Sequence, residues 1–324
     1  MMLIDKTKSS LIMLVGIPAS GKSYVANMML NEGNEIDDFN IVVHSSDALR
    51  AELFGDVNEQ GQNNELFKEL HKRIIEDLRK GNTVIYDATN INRKRRIAFL
   101  NELKHNKVKC KKICVLVLAT YEECVLNNSK RERSVPQNVI ERMYKHFEPP
   151  IIQEGWDSIT VVYNVNDPDS MYKYTIDQFF TGETDACSID QDNKHHSKTI
   201  GNHCIATYEY LKKSNPDDTV IQVAGLLHDC GKPFTKSRRL PNGTEDNQSH
   251  YYNHANVGAY DSFFYTMSLQ MPYADRVSVA HLICEHMKPF DWKLDKTKEK
   301  YKKLYGKLNY DRLIDLNEAD KKTS

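Results

Sequence analysis

Two groups of residues in this 324-residue chain have the types and spacing that chemistry requires. The first is GIPASGKS at 16–23, which satisfies G-x-x-x-x-G-K-[ST] without a mismatch. Gly16 and Gly21 let backbone N–H groups approach phosphate oxygens, and a helix opening at the lysine adds partial positive charge. Lys22 then neutralises β and γ oxygens, and the Ser23 hydroxyl suits Mg²⁺. ATP is the expected ligand, with Ala19, Ser20 and Tyr24 also expected to touch it. The second group is His228-Asp229, followed by Cys-Gly231-Lys232. An imidazole and a carboxylate side by side suit a borderline divalent metal.

Around the glycine-rich loop the chain alternates strand and helix. Apolar runs at 11–15, 41–44, 83–87, 112–119 and 158–165 read as strands. Helical patterns fall at 23–30, 48–53, 65–80 (stopped by Gly81), 93–104 and 137–147, the last opened by Pro136. Such alternation predicts a parallel sheet with helices on both faces. It also places Asp47 of HSSDALR, and Asp87 of YDATNINRKRR, at the ligand-binding ends of strands. An aspartate there also serves as a helix N-cap, so two roles stay open for Asp47. The run NNSKRERSVP at 127–136 is basic and precedes a helix, as a loop covering phosphates would. RKRR at 93–96 and KHNKVKCKK at 104–112 can equally be solvated faces.

From residue 186 the strand signal stops and apolar positions recur at helical spacing, which predicts an all-α second part. Eight of the twelve histidines lie in it. Length argues for two domains, expected at 1–180 and 181–324, with 166–187 as a polar connection. Composition is that of a soluble globular protein, 40% hydrophobic and 27% charged. No apolar run reaches bilayer length and no signal-peptide pattern is present, so a cytoplasmic protein without a membrane partner is expected. Seven cysteines without a CxxC pair argue against a disulfide framework or zinc ribbon. A net charge of −1 excludes a broadly cationic nucleic-acid coat.

The loop at 16–23, HSSDALR, DATN and the basic run before Pro136 together resemble the polynucleotide 5′-kinases of nucleic-acid end healing, over about residues 10–165. The resemblance implies that Asp47 is general base on a 5′-hydroxyl and that Arg50 grips the neighbouring phosphate. It implies further that Arg131 reaches the ATP phosphates and that Asp87 lies near the metal and phosphates. Relatives often carry arginine where this chain has Asn127, a role open here to Arg133.

His203, His228-Asp229, His254, His286 and Asp320 occur in the order that resembles the HD phosphohydrolase superfamily, over about residues 190–324. That likeness implies one metal on His203, His228, Asp229 and Asp320 and a second on Asp229, His254 and His286, so Asp229 would bridge. Asp315 competes for the place of Asp320. One or two divalent transition metals would orient a phosphate ester and activate water, and Lys232 would offset phosphate charge. His195, His196, His250 and His281 are candidates to support the site or touch substrate.

A 5′-kinase joined to such a phosphoesterase suggests repair of broken RNA or DNA ends: removal of a 2′,3′-cyclic or 3′-phosphate, phosphorylation of the 5′-hydroxyl, and sealing by a separate ligase. In the bifunctional enzymes resembled, the HD module comes first, whereas here it comes second. Two other readings are a small-molecule or nucleotide kinase fused to an HD nucleotidase, and a nucleotide-sensing regulatory protein.

Overall fold

The computed structural model describes residues 9–34, 40–56, 61–166, 168–193 and 197–324. His195 and His196 lie outside the described residues. The order of elements is β1 (Ser10–Val15), α1 (Lys22–Asn34), β2 (Ile41–Ser45), α2 (Ser46–Phe54), α3 (Asn63–Arg79), β3 (Thr83–Asp87), α4 (Arg93–His105) and β4 (Lys111–Leu118). There follow α5 (Tyr121–Ser129), α6 (Gln137–Tyr144), β5 (Ser158–Tyr163), α7 (Ile176–Phe180), α8 (Ile200–Ser214), α9 (Thr219–Leu227) and α10 (Lys232–Thr235). The chain ends with β6 (Ser237–Arg239), β7 (Glu245–His250), α11 (His254–Ser268), α12 (Tyr273–Glu285), α13 (Asp295–Tyr305) and α14 (Lys307–Thr323).

By packing, the chain divides into two compact units, one of residues 1–119, 124–135 and 154–164, the other of 120–123, 136–153 and 165–324. The first holds a five-stranded parallel sheet in the order β2-β3-β1-β4-β5. Its central strands are apolar on both faces, as a sheet covered on two sides requires. Ile12, Leu14, Ile85, Val115 and Val117 pack with Val25 and Ala26 of α1. Register brings Ser45 beside Asp87, so the ends of β2 and β3 stand level at the edge where β1 runs into the glycine-rich loop. Among the described residues no helix is long and apolar enough to cross a membrane.

RKRR behaves differently from a solvated face. Arg96 is fully buried, with Nε and Nη2 donating to Glu154 at 2.8 and 2.6 Å, and buried Arg93 lies 3.5 Å from the same carboxylate. Periodicity could not reveal this, because the counter-charge stands 58 residues on.

The second unit is helical, and it also carries the antiparallel hairpin β6–β7, which helical periodicity did not foreshadow. Its strands are polar and mostly exposed, so they carry no apolar alternation to read. A single cut near 180 also differs from the packing. Residues 166–187 hold a 3₁₀ turn and α7, with Tyr174 against Phe264 and Tyr265 and Phe179 against Tyr265. Tyr144 and Phe147 pack edge-to-face on Tyr260, fixing residues 136–153 in the same unit.

Candidate functional site

In the first unit the loop from β1 to α1 is bent into the left-handed region at Ala19 (φ 63°) and Gly21 (φ 96°). A Cβ on Gly21 would lie 2.2 Å from Asn164 Nδ2, which donates to Ser20 O. Only glycine combines that φ with that approach. Lys22 is buried and its Nζ donates to Ile17 O at 2.8 Å across the loop. Burial lowers its pKa, against which Asp87 and Asp47 push upward, while Arg131 adds to the lowering. Lys22, Asp87, Arg131 and Asp47 thus share one electrostatic neighbourhood. Ser23 Oγ donates to Asp87 Oδ2 at 2.8 Å, a hydroxyl and a carboxylate at the helix N-terminus where Mg²⁺ beside phosphates would be held. Tyr24 is exposed on α1.

Asp47 does not cap α2, for Ser45 does so by accepting from the Ala48 N–H. Its carboxylate is 63% exposed, flanked by Arg50 Nη1 at 3.4 Å and Arg133 Nη1 at 3.6 Å. Arg133 therefore reaches the carboxylate that sequence singled out. Asn128, buried on α5, clamps the basic loop by donating to Val135 O and accepting from Val135 N at 2.8 and 2.9 Å, and Arg131 stands exposed within that loop.

Sequence reasoning passed over Asn63. Arg50, nearly buried, donates through Nη2 to Asn63 Oδ1 at 2.7 Å. Asn63 in turn lines a cavity of about 250 Å³ bounded by Phe67, His71, Tyr86, Asn92 and Arg95 among others. His71 is fixed by Glu102 at 2.9 Å and Tyr86 Oη at 3.2 Å. This is a polar-rimmed aromatic chamber tied to the Asp47–Arg50 pair. No local pattern marks it, because it assembles only when α3, β3 and α4 pack.

In the second unit His228 terminates α9 and Asp229 follows it, His203 lies on α8, His254 opens α11, His286 ends α12 and Asp320 sits near the end of α14. All six are buried. Helix ends converge here because Gly231 permits it, a Cβ there meeting His254 O at 2.2 Å and Gly258 N at 2.5 Å. Ligand atoms of His203, His228 and Asp229 gather in one group, and those of Asp229, His254 and His286 in another, each within 4.8 Å. The two oxygens of Asp229 divide between them. Oδ2 lies 3.4 and 3.6 Å from the Nε2 atoms of His228 and His203, and Oδ1 lies 3.3 and 3.9 Å from those of His254 and His286. Asp320 Oδ1 is 3.0 Å from His203 Nε2, whereas Asp315 accepts from Asn215 at the opposite end of α8.

The donor set fits a metal. Nδ1 of His228, His254 and His286 faces a backbone carbonyl at 2.7–2.8 Å, and a carbonyl can only accept, so these nitrogens carry the protons. The Nε2 lone pairs of His254 and His286 then face each other at 3.2 Å, while His228 Nε2 stands 3.0 Å from His203 Nε2, and although burial opposes a charge on His228, Asp229 beside it holds its pKa well above the usual imidazole value. Converging lone pairs repel unless a cation lies between them, and carbonyl-anchored imidazoles are how proteins orient metal ligands. Burial pushes His286 down to about 3 and lowers His254, which keeps both neutral. Burial opposes the charge on Asp320, yet the His203 hydrogen bond holds it down at about 2.

Lys232 is buried, 2.7 Å from Asp229 Oδ2, and donates to Gln191 Oε1 at 2.6 Å. Tyr251 completes this corner by donating to Gln191 O at 2.8 Å. Gln191 and Tyr251 carry no sequence signal. His250 pairs with Asp246, and buried His281 packs edge-to-face with Tyr305.

Fold and site define a two-part architecture, a P-loop domain on a parallel sheet followed by a helical HD domain. Residues 11–150 match the family model of the AAA domain and residues 200–323 that of the HD domain. Among solved structures, a chain of the Pnkp1/Rnl/Hen1 RNA repair complex is 23% identical, over 42% of this chain and 43% of that one, with a TM-score of 0.36. Chaetomium thermophilum Kti12 in complex with ADP-AlF3 is 18% identical, over 49% of this chain and 92% of that one, TM-score 0.39. A gluconokinase from Sinorhizobium meliloti 1021 is 14% identical, over 50% and 86%, TM-score 0.34. The chain spans less than half the length of the repair-complex chains it matches.

Proposed function

We propose that the protein heals nucleic-acid ends, its first unit transferring the γ-phosphoryl group of ATP to a 5′-hydroxyl and its second hydrolysing a 2′,3′-cyclic phosphate or 3′-phosphate. The observation that carries the kinase reading is Asp47. It is an exposed carboxylate released from capping duty, held between Arg50 and Arg133 and sharing the field of Lys22. In that reading Asp47 accepts the proton of the attacking hydroxyl while Lys22 and Arg131 balance charge on the transferring phosphoryl group. Ser23 and Asp87 would hold Mg²⁺. Arg50, oriented by Asn63, would grip the acceptor phosphate, and the adjoining cavity is roomy enough for one terminal nucleoside.

The phosphoesterase reading rests on Asp229, whose oxygens serve both histidine groups. One or two divalent ions bound there would supply Lewis-acid polarisation and an activated water. Lys232, anchored by Gln191, would neutralise a phosphate oxygen, and the histidines' carbonyl bonds hold the ligand geometry rigid. A separate ligase would then act on the healed ends.

The cavity favours one second reading, a kinase of free nucleosides or other small acceptors joined to an HD nucleotidase. Incubation with γ-labelled ATP and either a 5′-hydroxyl oligonucleotide or a nucleoside separates the two. Label on the oligonucleotide is expected, and label confined to the nucleoside overturns the repair reading.

A further inference from the structure

The chain carries a net charge of −1, yet residues 288–307 hold eight lysines against three acidic residues. On α13, Lys296, Lys300 and Lys303 are exposed and spaced i, i+4, i+7, so they form one stripe with members about 6 and 10 Å from the first along the axis. The acids of this helix leave the stripe alone. Asp295 takes Lys298 at 3.3 Å, and among the described residues Lys293, Lys296, Lys300 and Lys303 have no carboxylate within 4 Å. Glu299, also exposed, is the one acid on the same side of the helix.

The helix that carries the stripe is anchored beside the His/Asp cluster by its packed face. His286 is followed within two residues by Lys288, which pairs at 2.5 Å with buried Glu285, and Glu285 also accepts from Tyr305 at the end of α13. Phe290 is 41% exposed, and Lys321, next to Asp320, lies 4.6 Å from its ring centroid. Trp292 stacks between Tyr301 and Tyr310 at 4.8 and 5.3 Å, which locks α13 against the segment leaving the cluster. A row of exposed cations on a helix anchored beside the cluster, with a partly exposed aromatic ring on the segment that joins them, has the make-up of a track for an extended polyanion carrying flat bases.

We propose that α13 is the strand-binding track of the HD half, gripping the sugar–phosphate backbone of a single-stranded polynucleotide whose terminal phosphate lies at the His/Asp cluster. The proposal rests on the phosphoesterase reading and names its substrate class: a polynucleotide end in preference to a mononucleotide.

The test compares the full chain with its Lys296→Glu/Lys300→Glu/Lys303→Glu variant. Phosphate release from an oligoribonucleotide ending in 2′,3′-cyclic phosphate is followed beside that from cytidine 2′,3′-cyclic monophosphate. Anisotropy of labelled RNA and DNA strands of one sequence gives binding directly. A fall of about 100-fold in kcat/KM for the oligonucleotide, with the mononucleotide unchanged, is expected. The slope of log binding against log salt is expected to lose about two units, from ~0.7 per phosphate contact on a single strand. Unchanged oligonucleotide turnover and binding, or equal losses on both substrates, overturn the track. Loss of binding to phosphatidylserine vesicles with oligonucleotide binding intact also overturns it and assigns the stripe to a membrane surface. If wild type hydrolyses neither substrate the phosphoesterase reading fails, and the anisotropy difference between wild type and variant still decides the track.

Discussion

The two units hold charge in opposite ways. The loop of the first relies on backbone amides, one folded-back lysine and a set of charges left partly open to solvent, Asp47 at 63% exposure and Arg133 at 35%. The cluster of the second is built wholly from side chains, four imidazoles and two carboxylates, all buried. Backbone donors at a helix N-terminus tolerate an intermittent ligand, because water can take its place at N–H groups that have no partner within the helix. Buried, converging lone pairs do not, since without a cation each carries its desolvation cost uncompensated. The first unit should therefore bind and release its ligand on every cycle, whereas a metal bound in the second would be kept as part of the fold.

The sharpest way to break that contrast is Asp229→Ala. It removes both oxygens that join the two histidine groups, so metal content by elemental analysis should drop to near zero. Phosphoesterase turnover should fall at least about 1,000-fold, with 5′-phosphorylation intact. Retained metal would refute the shared role of Asp229. Next in size is Asp47→Ala, expected to cost 100- to 10,000-fold in kcat for 5′-phosphorylation, the range of a lost general base. Metal content should not change, and ATP affinity should shift little, since Asp47 stands apart from the loop's backbone donors. Full kinase activity in that variant would remove Asp47 from the general-base role.

Asn63→Ala sharpens the same comparison on a smaller scale. Asn63 positions Arg50, so its loss should raise KM for the acceptor about 10-fold while KM for ATP holds. Equal rises in both would mean a general loosening of the domain. A purely structural counterpart is Glu154→Ala, which strands the buried guanidinium of Arg96. Removing one partner of a buried pair costs about 3–5 kcal/mol, readable as a lowered urea midpoint for the first unit.

What the sequence disclosed follows from how local each device is. GIPASGKS is contiguous, and its flanking strand and helix follow from an apolar run and a lysine-led turn, so the sheet and the loop could be read directly. The His/Asp cluster spans 118 residues from His203 to Asp320, and only the HD pair and a family order made it visible. Spacing gave no hint that Asp229 divides its oxygens or that the Nδ1 atoms face carbonyls. Whether Arg96 belonged to a solvated face stayed open because its partner Glu154 is remote in sequence, and Asn63 carried no signal because an amide is informative only once Arg50 touches it. The hairpin β6–β7 escaped notice for a different reason: its strands are polar on both faces. Residues 166–187 read as a connection because their apolar residues fall in short groups within a polar stretch, although Tyr174 and Phe179 each find a ring to pack on.

The smallest expected effect concerns a buried carboxyl outside both sites. Asp261 accepts from Tyr144 Oη at 2.6 Å, and burial raises its pKa to about 7. The unfolded chain releases this proton near the usual carboxylate value, whereas the folded chain holds it to about 7. The folded state therefore binds more protons between these limits. The stability Asp261 contributes is fully present below the unfolded value and is lost as pH rises through about 7. Asp261→Asn keeps the shape and an acceptor for Tyr144 without the charge. The variant should melt higher than wild type at pH 8 and close to it at pH 5, by a few degrees at most, as differential scanning calorimetry would register. A variant less stable at both pH values would instead mean that the carboxyl is needed as an anion. The tyrosine cluster around it would then, like the histidine cluster, depend on a buried charge.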